Sequence, residues 1–203
     1  MRQEDTIRAM KETMHTISRL TRQKHIFIQS FVESSILGSS LRHRKFIAKQ
    51  IADLFAYPFA RMIFHASAEN KWSAEAFHAL CDGKGATLTI LRTSDGRIFG
   101  GFTAVSWELP KKHEAGVYKE NPNAFLFACE PHWQVYPVVE PKKAIYCDNN
   151  ILAQFGYSDI VILNCPDSHA NSYSYPSTAY PSVGIPKKNA YVENMSSMLS
   201  SDS

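Results

Sequence analysis

Apolar residues along the first part of the chain recur with the spacing of a helix. They stand three or four residues apart, and the polar residues Thr21 and Lys24 occupy two intervening positions of the row. The row consists of Ile7, Met10, Met14, Ile17, Ile28 and Phe31. The pattern predicts a helix over residues 3–32, which either packs on the body of the protein or forms a short coiled coil.

Two further helices are predicted downstream. A break at "ESSILGSSLRH" precedes "SLRHRKFIAKQIADLFAY", whose apolar residues share one face before Pro58 ends the helix. The segment "WSAEAFHALCDGKG" has Ser73 as N-cap, Glu75 in the first turn, and Gly83 and Gly85 at its end.

A strand-like pattern surrounds this third helix and continues after it. The predicted strands are "ARMIFHAS", "ATLTILRT", "RIFGGFTAVSW", "AFLFAC", "VYPVV", "KAIYC" and "DIVILN", whereas "KKHEAGVYKENPN" is a predicted loop. Asp95-Gly96 predicts a type I′ hairpin turn, and Gly100-Gly101 marks a bulge or a close backbone approach. Many short strands at this spacing favour an antiparallel sandwich, and the final "SSMLSSDS" is predicted to be disordered.

The charge of the chain is unevenly distributed. The net charge is +3, but residues 1–50 carry 10 Lys/Arg and 4 Asp/Glu, so the remainder is mildly acidic. A basic extension suits an acidic partner or membrane surface, although a solvated helix face accounts for the same pattern. The N-terminus lacks the apolar core of a signal peptide, and no apolar run reaches the ~18 residues of a membrane span. We therefore expect a cytosolic protein with reduced thiols.

Motifs of known chemistry receive little support from the sequence. "CDGKGAT" is preceded by a helix and followed by a strand, the reverse of a phosphate-binding loop, and Lys84 is followed by glycine. His78 and Cys81 stand three apart on the predicted helix, but no second Cys/His pair exists to complete a zinc site. Neither a GxSxG motif nor a close carboxylate pair set among apolar residues is present. The residue pattern indicates an α+β domain without a recognisable catalytic site.

Several motifs together resemble the TLDc domain of the oxidation-resistance family. They are "IFHASAENKWSAEAFHALCDGKGATLTILRTSDGRIFGGFTAVSW", "NPNAFLFAC", "PKKAIYCDNNILAQFGYSDIVI" and "NSYSY". The resemblance extends from Ile63 to Tyr173 and implies an antiparallel two-sheet β-sandwich flanked by short helices, with an N-terminal helical extension. The expected organisation is a basic helical extension over 1–57, the sandwich domain over 58–175 and a disordered tail over 176–203.

The resemblance also implies a function. The family has no established enzymatic mechanism, and its members are associated with protection from oxidative stress. Several members bind and regulate the vacuolar-type proton-pumping ATPase, and others act in membrane traffic. We therefore expect a protein partner, foremost this ATPase, weak contact with an acidic membrane surface, and a location peripheral to vacuolar or endosomal membranes. The resemblance implies no catalytic residue, metal, cofactor or nucleic-acid partner.

The sequence departs from the family pattern in two places. The usual final strand is replaced by "GIPKKNAYVENMSSMLSSDS", which lacks apolar alternation, so we expect the closing strand to be missing. Such a gap would expose unpaired backbone unless the N-terminal helices or the tail cover it. The family's GPxFG segment is replaced by residues 153–156, Ala-Gln-Phe-Gly.

The motif residues fall into two expected groups. The candidate interaction residues are polar, and they are Glu75, His78, Asp82, Lys84, Asp95, Arg97 and Asp148. The candidate structural residues are glycines and aromatics, namely Phe77, Gly83, Gly85, Gly96, Gly100, Gly101 and Trp107. Two alternative functions stay open: redox chemistry at Cys81, Cys129, Cys147 or Cys165, and a membrane-surface, trafficking or self-association role for the N-terminal helices.

Overall fold

The computed structural model describes most, though not all, of the chain. The described residues are 3–31, 34, 36–37, 40–51, 60–66, 73–93, 96–111, 115–129, 133–164, 178–181 and 194–200. The predicted residues Asp95 and Cys165 lie outside them, as does the "NSYSY" segment.

The described chain forms three α-helices and ten β-strands, with one 3₁₀ helix over Pro141–Lys143. The α-helices are α1 (Gln3–Ser30), α2 (Leu41–Ile51) and α3 (Ala74–Cys81). The strands are β1 (Arg61–His65), β2 (Thr87–Arg92), β3 (Ile98–Thr103), β4 (Val117–Lys119), β5 (Phe125–Ala128), β6 (Gln134–Pro137), β7 (Ile145–Cys147), β8 (Ile151–Phe155), β9 (Ile160–Leu163) and β10 (Asn194–Ser200).

The strands form two antiparallel sheets. The larger sheet has the order β1-β10-β2-β3-β5-β6, and the smaller has the order β4-β7-β8-β9. Buried side chains of both sheets, among them Phe99 and Leu126 of the larger and Phe155 and Ile162 of the smaller, form one apolar cluster. The predicted α+β sandwich is therefore confirmed.

The N-terminal helices cover the other face of the larger sheet. Phe27, Ile28 and Phe31 at the end of α1 join Ile47 and Ile51 of α2 in a second apolar cluster. Along β2, β3 and β5 the side chains of this cluster alternate with those of the first cluster, as expected for a sheet buried on both faces. The helices thus share a core with the sandwich, and the boundary at residue 57 stays a prediction because residues 52–59 lie outside the described part.

The expectation of a missing closing strand is wrong. Strand β10 lies between β1 and β2 and pairs antiparallel with both of them. The predicted disorder of residues 176–203 is therefore wrong for 194–200, and Ala179 and Tyr180 are buried in the core. Backbone hydrogen bonds to both neighbouring strands hold β10 in the sheet. Apolar alternation, whose absence led to the expectation of a missing strand, is therefore not required.

Two shorter strands differ from the sequence-based prediction. Val117–Lys119 falls in the predicted loop but forms the edge strand β4, which pairs only with β7. Ile151–Phe155, for which no strand is predicted, forms β8, in which every residue except Ile151 is buried. The sequence does not predict either strand because neither shows alternating apolar and polar residues. Strand β4 is only three residues long, and β8 is buried almost throughout.

The hairpin between β2 and β3 differs in detail from its prediction. The backbone N–H of Thr93 donates to the Arg97 carbonyl at 3.0 Å, and the Gly96 N–H donates to the Thr93 carbonyl at 2.9 Å. Three residues therefore separate the paired ends, which corrects the two-residue type I′ turn. Gly96 has a φ of 85°, in agreement with the longer hairpin loop that places glycine in the left-handed region.

The double glycine allows close packing on both faces of β3. The pairing of β2 with β3 is regular through both glycines, so the bulge is excluded and the close approach is confirmed. A Cβ at Gly101 would lie 2.6 Å from the Phe155 ring, and one at Gly100 would lie 2.0 Å from the Thr89 carbonyl oxygen. Glycine is therefore required where the two sheets meet.

Candidate functional site

Helix α3 is held at its first turn by two hydrogen bonds. The Ser73 hydroxyl accepts from the Ala76 N–H at 3.3 Å, which confirms Ser73 as the N-cap. The Ala74 N–H donates to Oδ1 of Asn164, just after β9, at 3.1 Å. Glu75 is exposed in the same turn, where the helix dipole stabilises its negative charge.

The inner face of α3 is anchored by aromatic packing. The Phe77 ring lies edge-on to Phe64 and Trp107, with centroid distances of 5.4 and 5.8 Å. Trp107 is fully buried, and its Nε1–H donates to the Thr87 hydroxyl at 2.9 Å. These contacts confirm Phe77 and Trp107 as core residues.

The end of α3 is fastened by His78 and Asp82. Nδ1 of His78 lies 2.7 Å from Oδ1 of Asp82, and Nε2 lies 3.0 Å from the Ile151 carbonyl oxygen. Both ring nitrogens therefore have an oxygen partner within hydrogen-bond distance. The second carboxylate oxygen of Asp82 accepts from the Leu109 N–H at 2.8 Å. The pair joins α3 to β8 and to the segment after Trp107.

His78 lies buried near the end of α3. Its side chain is 2% exposed, and the hydrogen bonds described above engage both nitrogens. Asp82 is partly exposed but is engaged through both oxygens. In this structure the two residues position α3 rather than present free polar groups.

The residues after Asp82, which we call the DGKG corner (82–85), form a hydrogen-bonded turn into β2. The Gly83 N–H donates to the Trp107 carbonyl at 3.1 Å, and the Gly85 N–H donates to the Ser106 hydroxyl at 2.7 Å. Both glycines have a positive φ, 70° and 74°. Glycine adopts this conformation without the steric cost that other residues incur.

A lysine from β4 supports the same corner from the other sheet. Nζ of Lys119 donates to the Ser106 carbonyl and to a carboxylate oxygen of Glu108, both at 2.8 Å. The hydrogen bond and the positive charge lower the pKa of the Glu108 carboxyl. Lys119 thus holds the segment around Ser106, which in turn accepts a hydrogen bond from the DGKG corner.

The outer face of α3 and the corner present an exposed surface, which we call the α3 face (Glu75, Ala79, Leu80, Lys84). The Leu80 side chain is 46% exposed, and Glu75 and Lys84 are also exposed. The surface combines one large apolar side chain with charges of both signs on a rigid backbone. Such a surface can bind a protein, and its residues include no paired acid and base suited to catalysis.

The remaining candidate residues are separated from each other. Asp148 lies in the turn from β7 to β8, where its Oδ1 accepts from the Asn150 N–H at 2.8 Å. This turn leads to Ile151, so it lies near α3. Arg97 lies at the hairpin end of β3, and the six-residue β2 separates it from the DGKG corner. The structure thus brings Glu75, His78, Asp82 and Lys84 together and excludes Arg97 from that group.

The described cysteines are buried thiols. Cys81, Cys129 and Cys147 are free and buried. Burial raises the pKa of the Cys81 thiol, with a further contribution from Asp82, and burial also raises the pKa of Cys147. A thiol held protonated is a poor nucleophile. Within the described part of the chain, no group of three His, Cys, Asp or Glu residues could hold a metal ion.

Asp159 is a buried carboxylate that sequence reasoning did not single out. It is 0% exposed and accepts hydrogen bonds from the Thr178 hydroxyl and N–H and from the Ala179 N–H. Tyr180 follows, and its hydroxyl donates to the Ala144 carbonyl at 2.7 Å. In the sequence this aspartate directly precedes the apolar run of "GYSDIVIL". Its hydrogen-bond partners lie about 20 residues further along the chain, so no local pattern reveals them.

The fold and the site define an antiparallel β-sandwich whose helix α3 ends in a hydrogen-bonded corner. The TLDc domain model matches residues 31–195, which is most of the chain. The chain therefore belongs to the TLDc family, the oxidation-resistance type of module. No curated protein matches the chain significantly. None of the described helices combines the length and apolar character needed to cross a membrane.

Proposed function

We propose that this protein is a non-catalytic interaction module that supports resistance to oxidative stress by binding the vacuolar-type proton-pumping ATPase. The observation that carries the proposal is the match of the TLDc domain to residues 31–195. The proposal places the protein in the cytoplasm, at the periphery of vacuolar or endosomal membranes, and it requires no metal or cofactor.

The α3 face is the proposed contact surface. Its backbone is held by the buried Phe77 and the His78–Asp82 pair, so binding would order few additional groups. Leu80 supplies apolar area, and Glu75 and Lys84 supply charges for pairing with a partner. Asp148 extends the surface across the neighbouring turn, whereas Arg97 and Asp95 would belong to a separate contact.

The experiment is affinity capture of ATPase subunits from solubilised vacuolar membranes. The full chain is the bait, compared with a Glu75→Lys/Leu80→Asp/Lys84→Glu variant and a matched Lys142→Glu control on the exposed 3₁₀ helix. We expect the wild type and the control to recover peripheral ATPase subunits and the triple variant to recover at least tenfold less. Absence of ATPase subunits with the wild type, where another TLDc protein recovers them, would refute the ATPase partner.

The burial of the described thiols disfavours the redox alternative. Cys81, Cys129 and Cys147 would have to become exposed before reacting, whereas Cys165 lies outside the described residues. We expect an aromatic disulfide reagent to modify at most one thiol in the folded chain and all four after denaturation. Rapid reaction of two or more thiols in the folded chain would support redox chemistry instead.

A further inference from the structure

The first part of α1 extends beyond the body of the protein. From Asp5 to Ile26 the side chains are exposed, except the half-buried Thr6, and burial begins at Phe27. At 1.5 Å per residue this free segment is about 33 Å long. Its large apolar side chains are therefore open to solvent over 42% or more of their surface.

A narrow apolar seam runs along this segment, which we define as Ile7, Met10, Met14, Ile17 and Thr21. The four apolar side chains are between 46% and 70% exposed. Their alternating spacing of three and four residues is that of a coiled-coil seam. The Thr21 hydroxyl donates to the Ile17 carbonyl at 2.9 Å, so covering Thr21 would leave no unpaired donor.

One flank of the seam is basic. At 100° per residue, Lys11, Arg22, His15 and Arg8 lie in one row on one side of the apolar positions, Lys11 nearest to them. Glu4 at the start of the helix shares this row, and Arg8 pairs with Asp5 at 3.5 Å. The other flank carries Thr6, Thr13 and Leu20. The Thr13 hydroxyl also donates within the helix, to the Ala9 carbonyl at 2.8 Å. The face thus offers a threonine-lined side that ends in Lys24, an apolar centre and a largely positive side.

A second copy of the chain fits this face poorly. Parallel pairing would place Lys24, which follows Thr21 in the same spacing, against Lys24 of the second copy. Antiparallel pairing that matches Ile7 with Ile17 and Met10 with Met14 would place Lys11 beside Lys11. Each arrangement brings like charges together, which opposes self-association.

A membrane surface fits the face less well than a helix does. The apolar stripe spans only about 80° of the helix, and threonines border it, whereas interfacial helices bury a wider face with Trp, Phe or Leu. We infer that the α1 seam binds an amphipathic helix of a partner protein whose own apolar seam is flanked by acidic residues. This inference does not rest on the proposed ATPase partner.

Two synthetic peptides test the inference by isothermal titration calorimetry with the full chain. Both are 21-residue helices with leucine at the seam positions, and the flanking positions are all glutamate in one and all lysine in the other. We expect the glutamate peptide to bind at least tenfold more tightly and to weaken as salt is raised, because the pairing is charge-assisted. Equal affinities, or no binding of either peptide, would overturn the inference.

Surface variants separate seam pairing from general charge attraction. Met14→Ser should weaken binding of the glutamate peptide at least tenfold, while Thr16→Ser, on the opposite side of the exposed helix, should not. Lys11→Glu/Arg22→Glu should reverse the preference toward the lysine peptide. Unchanged binding by Met14→Ser would overturn the proposal, and circular dichroism checks that each variant keeps its helix content.

Two measurements test the other possible binding partners of the α1 seam, a second copy of the chain and a membrane surface. Light scattering of the chain alone at tens of micromolar should report a monomer; a dimer that Met14→Ser abolishes would overturn the inference in favour of a second copy. Vesicles of phosphatidylcholine with 30% phosphatidylserine should not co-float the chain. Co-flotation abolished by Met14→Ser would overturn the inference in favour of a membrane.

Discussion

The imidazole of His78 lies with Nδ1 2.7 Å from Oδ1 of Asp82, one helical turn further along the chain. The same carboxylate accepts from the Leu109 N–H. Asp82→Ala removes both acceptors, so we expect the free energy of unfolding to fall by about 2–4 kcal/mol. Urea unfolding measures the loss, and Glu75→Ala on the exposed side of α3 is the control, expected within about 0.5 kcal/mol of wild type. Equal effects of the two substitutions would contradict the assigned role.

The contact of Gly101 with Phe155 predicts an over-packing effect. The Cβ of Gly101→Ala would lie 2.6 Å from a fully buried ring, so we expect a loss of about 1–3 kcal/mol in unfolding free energy. Phe155→Leu should also destabilise the protein, by leaving a cavity. Because the smaller side chain makes room for the methyl group, the double variant should lose less than the two single losses together. A double-mutant cycle from urea unfolding tests this, and strict additivity would contradict it.

Asp159 predicts a local effect on the segment 178–181. Asp159→Ala leaves the N–H groups of Thr178 and Ala179 without their acceptor in the core, which we expect to cost about 2–4 kcal/mol. Amide hydrogen exchange should show faster exchange at these two residues, with little change at Leu126 in β5. If exchange at Ala179 stays as slow as in wild type, the carboxylate does not hold this segment.

The position of β10 predicts that its backbone N–H groups contribute to stability. Leu199 is paired with Met62 on one side and with Leu88 on the other. Leu199→Pro removes one donor and disrupts the ladder, so we expect a loss of about 2–4 kcal/mol, measured by thermal unfolding. Leu199→Val keeps the N–H group and is the matched control. Similar midpoints for Leu199→Pro and wild type would show that β10 is dispensable.

The buried thiols and phenol predict lower stability in alkali. Burial raises the pKa of Cys81, Cys147 and Tyr180 in the folded state. Above the ordinary thiol pKa, about 8.5, the unfolded chain releases protons that the folded chain retains, so the unfolding free energy falls as pH rises. Each group contributes at most about 1.4 kcal/mol per pH unit. Urea unfolding between pH 7.5 and 10.5 measures the slope. Cys81→Ala should flatten this slope, and an unchanged slope would exclude Cys81 as a contributor.

Local patterns predicted the elements that depend on neighbouring residues. The 28-residue α1, the Ser73 cap of α3 and the strands with apolar runs follow from periodicity and capping, which operate within a few positions. The close approach at Gly100-Gly101 was also predictable, because glycine inside a strand leaves space that a neighbouring group fills. The glycines of the DGKG corner were identified from the backbone freedom that a helix-to-strand turn needs.

Tertiary structure decided the rest, because it depends on contacts between distant residues. Strand β10 forms where β1 and β2 both offer backbone partners, so its own sequence need not alternate. His78 is a polar residue by type, but it is buried where α3 packs on β8, and its ring faces the Ile151 carbonyl, 73 residues away. The sequence alone determined the helices, the strand character and the family, whereas the fold determined which motif residues face the core and which face a partner.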